Sequence, residues 1–226
     1  MDIIEQLNKK VIISVQAMKN EPFYDENAII AMMKSVVDGG ASGLRLAGER
    51  DIINAKRLFD LPVIGITKPD ILPDKWKDIV YITPTLDDVK TVINAGADIV
   101  AVDATLRVRP KESLEELLSY IKSQKKLAMA DVSNYKEGEN AYNLGFDIVS
   151  TTLSGYTTYT DSKNSEPDFV LLEELAKNLD CPIFLEGRIE QPQHVTKALQ
   201  LGAHSVVIGS AVTRPKLITK RFVDRN

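Results

Sequence analysis

Three acid–base groups stand at the ends of short apolar runs. Lys68 follows Val63-Ile64-Gly65-Ile66-Thr67, Asp131 closes Leu127-Ala128-Met129-Ala130, and Glu186 closes Pro182-Ile183-Phe184-Leu185. A short, continuous apolar run between turn signals is the pattern of a strand buried on both faces. A charge at its end cannot share that dry layer without partners. Arg45, after Gly43-Leu44, ends another such run and is a neighbouring cation. An ammonium leaving a core strand beside a guanidinium is disfavoured as a cation twice over, by desolvation and by like charge. Lys68 is therefore expected to have a depressed pKa and to serve as a neutral amine base or a Schiff-base nucleophile near neutral pH. The plainer alternative is a cation that pairs with Glu186 or Asp131.

These residues must be brought together by repeated elements. Helical segments end at glycine and a strand follows within a few residues, at Asp38-Gly39-Gly40, Asn94-Ala95-Gly96, Asn143-Leu144-Gly145 and Gln200-Leu201-Gly202. Glycine stops a helix there by taking the left-handed conformation. The expected strands are Val11 to Val15, Gly43 to Leu46, Val63 to Thr67, Ile99 to Asp103, Leu127 to Asp131, Ile148 to Leu153, Ile183 to Glu186 and Ser205 to Ile208. Between and after them, 3.6-residue periodicity predicts helices at Ala28 to Val37, Ile52 to Leu58, Leu86 to Ala95, Leu114 to Ser123, Gly138 to Leu144, Phe169 to Asn178, Gln193 to Leu201 and Lys216 to Val223. Strand and helix alternating in this way predict an α/β fold, a (β/α)8 TIM barrel spanning residues 1–226 as one domain. A doubly wound open sheet would carry a Gly-rich loop after its first strand, and Val15-Gln16-Ala17-Met18 is not one. Ile79-Val80-Tyr81-Ile82 reads as an excursion near the only tryptophan, Trp76, rather than a ninth strand, and Thr157 to Pro167 as a polar loop suited to act as a lid.

In such a barrel the site lies at the C-terminal ends of the strands. The polar residues there are Gln16, Arg45, Lys68, Asp103, Asp131, Thr151 or Thr152 with Tyr156, Glu186, Arg188, Gly209, Ser210 and Arg214. A single charge at a strand end can simply be solvated, and Asp103 can as well shape its own loop by accepting backbone N–H groups. Five or more converging on one rim point to a site. Gly187-Arg188 and Gly209-Ser210 follow the seventh and eighth strands, where barrels bind phosphate with backbone N–H groups. Arg214 is placed to close on the same anion. Tight loops alone are the other reason for such glycines.

The remaining features exclude whole classes. A net charge of -4 offers no basic face for nucleic acid or an anionic membrane. No run approaches the roughly 20 apolar residues of a membrane span, and the acidic, short N-terminal stretch is not a signal peptide. Cys181 is the only cysteine and reads as a small residue at a strand entrance. His194 and His204 lie away from the strand C-termini, so no metal site is expected at the rim. These features suit a soluble, cytoplasmic protein. The last helix, with Ile218, Phe222 and Val223, either closes its own barrel or packs on a second copy as a homodimer.

Several segments resemble the bacterial N-acetylmannosamine-6-phosphate 2-epimerases: Ser14-Val15-Gln16-Ala17, Gly65-Ile66-Thr67-Lys68, Ala101-Val102-Asp103-Ala104-Thr105, Met129-Ala130-Asp131, Ser150-Thr151-Thr152-Leu153-Ser154-Gly155-Tyr156, Glu186-Gly187-Arg188-Ile189 and Gly209-Ser210-Ala211-Val212-Thr213-Arg214-Pro215. The resemblance implies a sugar-phosphate substrate, N-acetylmannosamine 6-phosphate or N-acetylglucosamine 6-phosphate in sialic acid breakdown, and no cofactor. It also implies catalytic roles for Lys68 and Glu186, supporting roles for Arg45 and Asp131, and substrate binding by Gln16, to which Thr152 and Tyr156 are added as neighbours. Two positions depart from the usual pattern: Pro69 where a basic residue often follows the lysine, and Ser210 where a second glycine is usual. A serine keeps its backbone N–H, so the phosphate loop is retained. Competing readings are a Schiff-base aldolase using Lys68, a metal-dependent pentose-phosphate epimerase, disfavoured by the missing rim histidines, and a sugar-phosphate binding protein on the same scaffold.

Overall fold

In the computed structural model, which describes residues 2–161 and 165–224, eight parallel strands close into a barrel in sequence order. They are β1 (Lys10–Val15), β2 (Leu44–Ala47), β3 (Val63–Ile66), β4 (Ile99–Asp103), β5 (Leu127–Asp131), β6 (Ile148–Ser150), β7 (Ile183–Glu186) and β8 (Ser205–Ile208). The helices are α1 (Ile3–Gln6), α2 (Glu26–Asp38), α3 (Glu49–Leu58), α4 (Leu86–Asn94), α5 (Leu114–Ser123), α6 (Tyr135–Leu144), α7 (Phe169–Asn178), α8 (Pro192–Gln200), α9 (Ser210–Thr213) and α10 (Pro215–Asp224). The expected (β/α)8 fold is present, and residues 79–82 form no ninth strand.

Local chemistry explains the helix starts. Side chains of Asp25, Thr85, Ser113, Asn134 and Asp168 accept backbone N–H groups of the first turns, and Thr85 with Asp88 and Ser113 with Glu116 complete capping boxes. The Asn134 cap starts α6 at Tyr135, three residues before the expected start at Gly138. The junction glycines Gly40, Gly96, Gly145 and Gly202 all have positive φ, so the left-handed exit predicted from sequence is the one used.

Both β6 and α1 also differ from expectation. β6 ends at Ser150 rather than Leu153, because residues 151–156 curl into successive turns, with Ser154 N–H donating to Thr151 O (3.0 Å) and Tyr156 N–H to Leu153 O (2.9 Å). That curl aims Thr152 into the barrel mouth. The unexpected α1 sits at the opposite, N-terminal end: Leu7 just beyond it is fully buried, and His204 Nε2 lies 2.8 Å from Ile4 O.

Side chains alternate between two apolar layers. Ile13, Val15, Leu44, Leu46, Val100, Val102 and Leu185 pack outward under the helices, whereas Ile12, Ile64, Ile66, Ile99, Ala101, Met129, Ile148, Phe184 and Val207 fill the barrel. Continuing the inward set to the C-terminal end of each strand gives Ser14, Arg45, Lys68, Asp103, Asp131, Ser150, Thr152, Glu186 and Gly209. Gly65, on the outward set, sits so close to α4 that a Cβ would lie 2.6 Å from Val92 Cγ1 and 2.7 Å from Ala97 Cβ. Gly65→Ala should therefore destabilise the fold by about 1–3 kcal/mol through overpacking, read as a lower urea midpoint with an unchanged m-value.

Candidate active site

The inward residues of β2, β5 and β7 meet as one buried ionic group. Arg45, fully buried, donates to both carboxylate oxygens of Asp131 at 3.1 and 2.6 Å and lies 3.0 Å from Glu186 Oε2. Asp131 is equally buried, while the Glu186 side chain keeps 14% exposure. The Thr152 hydroxyl bridges the two acids, 2.7 Å from Asp131 Oδ1 and 3.2 Å from Glu186 Oε2. It has one proton for two carboxylates. Burial raises the pKa of Glu186, and the nearby Asp131 charge adds to that, against the opposing pull of Arg45 and Lys68.

Lys68 stands beside this group without an ion-pair partner within 4.0 Å among the described residues; its Nζ donates to Gln16 Oε1 at 3.0 Å. Gln16 Nε2 in turn donates to Ser14 Oγ at 2.7 Å, which orients the amide oxygen towards the lysine. Burial, with the Arg45 charge as the next cause, lowers the Lys68 pKa to about 8. Both causes are those expected from sequence, and the simple ion pair with Glu186 or Asp131 is not formed.

A cavity of about 410 Å³ opens above, lined by Gln16, Lys68, Thr152, Tyr156, Glu186, Gly187, Arg188, Gly209, Ser210 and Arg214 among others. Arg45 and Asp131 are absent from its lining and lie one layer beneath. On the side of the seventh and eighth strands, Gly187 and Arg188 both have positive φ, 107° and 55°, turning the chain sharply after β7. In α9 the first in-helix bonds come from Val212 and Thr213 N–H to Gly209 O, leaving the N–H groups of Ser210 and Ala211 ahead of the ladder. Arg214 is held by Glu21 at 2.6 Å. The Arg188 guanidinium instead donates to Ser154 O (2.6 Å) and Glu166 O (2.7 Å), so this side chain braces the loop after β6.

Other expected rim residues are not in the cavity. Asp103 is buried, accepts from Thr105 N–H (3.1 Å) and is paired with Arg107 at 2.6 Å, the loop-shaping role that was its alternative. Thr151 bonds the Glu186 backbone rather than facing inward. His194 accepts Glu190 N–H at its ring nitrogen, and His204 stacks on Phe184. Among the described residues no group of three or more His, Cys, Asp and Glu side chains is arranged to hold a metal ion, and no helix is long and apolar enough to cross a membrane. Burial pushes the Cys181 thiol up to about 11, which leaves little thiolate at neutral pH. The sequence reading missed Ser14, Leu72, Trp76 and Tyr81 as cavity residues. Only the odd-and-even register of β1 could have flagged Ser14, and nothing local flags the other three.

Because Arg45 is the shared cation, its removal leaves two buried acids unpaired. Arg45→Met should cost about 3–5 kcal/mol of stability at neutral pH, measured by chemical denaturation, and part of that loss should be recovered in Arg45→Met with Asp131→Leu.

Comparison with known proteins places this geometry. A family model described as "Putative N-acetylmannosamine-6-phosphate epimerase" matches residues 29–226. Proteins named "Putative N-acetylmannosamine-6-phosphate 2-epimerase" from Clostridioides difficile (strain 630) and Caldanaerobacter subterraneus subsp. tengcongensis are 46% and 45% identical to it. Those alignments cover 98% and 99% of this chain and 97% and 93% of theirs. The solved structure of the N-acetylmannosamine-6-phosphate 2-epimerase from Clostridium perfringens superposes with a TM-score of 0.93 at 41% identity, over 100% of this chain and 97% of that one. The chain belongs to the N-acetylmannosamine-6-phosphate epimerase family.

Proposed function

We propose that this single-domain barrel interconverts N-acetylmannosamine 6-phosphate and N-acetylglucosamine 6-phosphate, in the cytoplasm, as a step of amino-sugar breakdown. The observation that carries the reading is that Lys68, its pKa lowered by burial to about 8, and Glu186, its pKa raised by burial, line one cavity in a chain of this family. Epimerisation at C2 removes a proton next to a carbonyl and returns it to the other face, which requires the pyranose to open to the aldehyde first. Glu186 transfers the proton between O5 and O1 in ring opening. Neutral Lys68 then takes the C2 proton, leaving an enolate whose carbanion charge is delocalised onto O1. The Lys68 ammonium, after rotation of the open-chain intermediate, or a second acid that later takes the proton from Lys68, then protonates the opposite face of C2, and ring closure gives the epimer.

Arg45 and Asp131 support this chemistry from below. Arg45 lowers the Lys68 pKa and holds Glu186, while Asp131 fixes the guanidinium and favours the protonated form of Glu186. Gln16 steadies Lys68, and Thr152 and Tyr156 complete the sugar pocket. The 6-phosphate is received by backbone N–H groups of Gly187, Arg188, Gly209 and Ser210 and by the Arg214 guanidinium, already oriented by Glu21. None of these steps calls on a metal or organic cofactor. Leu217, Phe222 and Val223 of α10 are exposed, and α10 buries no residue, which supports pairing of two copies through this helix.

Because the deprotonated amine is the active form, kcat/KM should rise with pH through about 8; a profile flat on both sides of that value argues against Lys68 as the base. In deuterated buffer the wild-type enzyme should exchange the C2 hydrogen. Lys68→Ala should lose that exchange and about 10²–10⁴-fold in rate, and retained exchange would sink the assignment. Borohydride in the presence of substrate should trap no adduct; a trapped adduct at Lys68 would favour the Schiff-base reading.

A further inference from the structure

Part of the cavity lining is apolar and has no place in the proton transfers. Leu72, Trp76, Tyr81, Ile82 and Tyr156 share the cavity with Lys68 and Glu186. Trp76 opens a single 3-10 turn, Trp76–Asp78, in the loop that leaves Lys68. Its ring meets Tyr81 edge-on at 5.7 Å between centroids and lies 6.3 Å from Tyr156. The turn is fastened from outside. Lys77 O accepts from Arg107 Nη1 at 2.9 Å, Lys77 Nζ pairs with Asp161 at 2.7 Å, and the Thr158 hydroxyl bonds Asp78. These contacts tie the turn that carries Trp76 to the segments after β4 and β6. Neither the Trp76 indole N–H nor the Tyr81 hydroxyl has a hydrogen-bond partner within the protein among the described residues.

We infer that Trp76, backed by Tyr81 and Tyr156, is a specificity-determining residue whose ring receives the N-acetyl group on C2 of the sugar, an assignment that rests on the epimerase activity proposed above. Lys68 must reach the hydrogen on C2, and the acyl carbon is only two bonds from C2, so the acetyl group lies beside Lys68. The loop departing from Lys68 carries Leu72 and Trp76 into the same cavity. The acetyl methyl is the one carbon of the substrate that bears no oxygen or nitrogen, and every other carbon projects a hydroxyl, an amide or the phosphate. A flat aromatic face suits that methyl, and the indole N–H is a donor for the acyl carbonyl. Phosphate and hydroxyls are matched by Gly209, Ser210, Arg214, Gln16 and Glu186. A hexose 6-phosphate with a hydroxyl on C2 would use the polar lining and gain nothing from the ring.

The test compares N-acetylmannosamine 6-phosphate as substrate with mannose 6-phosphate as competitive inhibitor. Trp76→Ala should raise KM for the acetylated sugar roughly tenfold, the scale of one apolar contact in a pocket, with kcat nearly unchanged. The inhibition constant of mannose 6-phosphate should not move, and Trp76→Phe should restore most of the KM. If KM is unchanged, or if KM and the inhibition constant rise together, the ring does not read the acetyl group. Trp76 is the only tryptophan, so its emission is a direct probe. In the Lys68→Ala enzyme, N-acetylmannosamine 6-phosphate should shift the emission and inorganic phosphate should not; no shift at a saturating concentration overturns the inference. A wild-type enzyme that does not turn over N-acetylmannosamine 6-phosphate overturns the activity instead, and the emission then tests the acetyl seat alone.

Discussion

One guanidinium serves two carboxylates at the floor of the site. A lone charge as deeply buried as Arg45 or Asp131 would cost several kcal/mol of lost hydration, so each is tolerable only in the company of the other. The bidentate Arg45–Asp131 contact meets that requirement nearly completely. Glu186 comes third, with one contact to the same cation, and is the acid that reaches towards the cavity. Burial raises its pKa, and the neighbouring Asp131 charge adds to that against the pull of Arg45. Burial, with the Arg45 charge as the next cause, brings the Lys68 pKa down to about 8. Burial is the largest influence on both proton-handling groups, and Arg45, which does not line the cavity, acts on each of them next.

That centre depends on barrel closure. β2, β5 and β7 are not neighbours in the sheet, and their inward residues meet only because the strands curve around a common axis. Above the floor, most of the site's definition comes from side chains bonded to backbone. Thr213 Oγ1 donates to Ser14 O and ties α9 to β1, Arg188 braces the loop after β6, and Glu21 fixes Arg214. The mouth is thus assembled from loops that are individually irregular and mutually pinned, while the opposite end is stoppered by α1 and Leu7. A division of this kind, chemistry at one end and stability at the other, is what the barrel architecture offers.

How far the site was legible depends on whether the relevant physics is local. The strand-terminal placement of Lys68, Asp131 and Glu186 could be read directly, because an apolar run that ends on a charge is a one-dimensional pattern. Helix starts were legible only to within a few residues, since caps such as Asn134 act through a side-chain bond that composition does not weigh. Asp103 shows the limit well: its position at the end of β4 matches that of Asp131 at the end of β5, residue for residue in the register, yet one acid joins Arg45 and the other turns to Thr105 and Arg107. The segment around Trp76 is the opposite case, a stretch without a periodic signal that forms one wall of the cavity.

From the sequence alone came the alternation of strand and helix, the glycine exits, the barrel they build and the identity of the residues that end its strands. Those properties rest on local backbone preference and on hydrophobic periodicity, both of which are written along the chain. Tertiary structure alone decided which of those residues share a charge, which lie beneath the cavity and which line it. Those outcomes depend on distances of a few ångströms between residues as far apart as 45, 131 and 186, where desolvation and Coulomb interactions change steeply and no sequence spacing reports them.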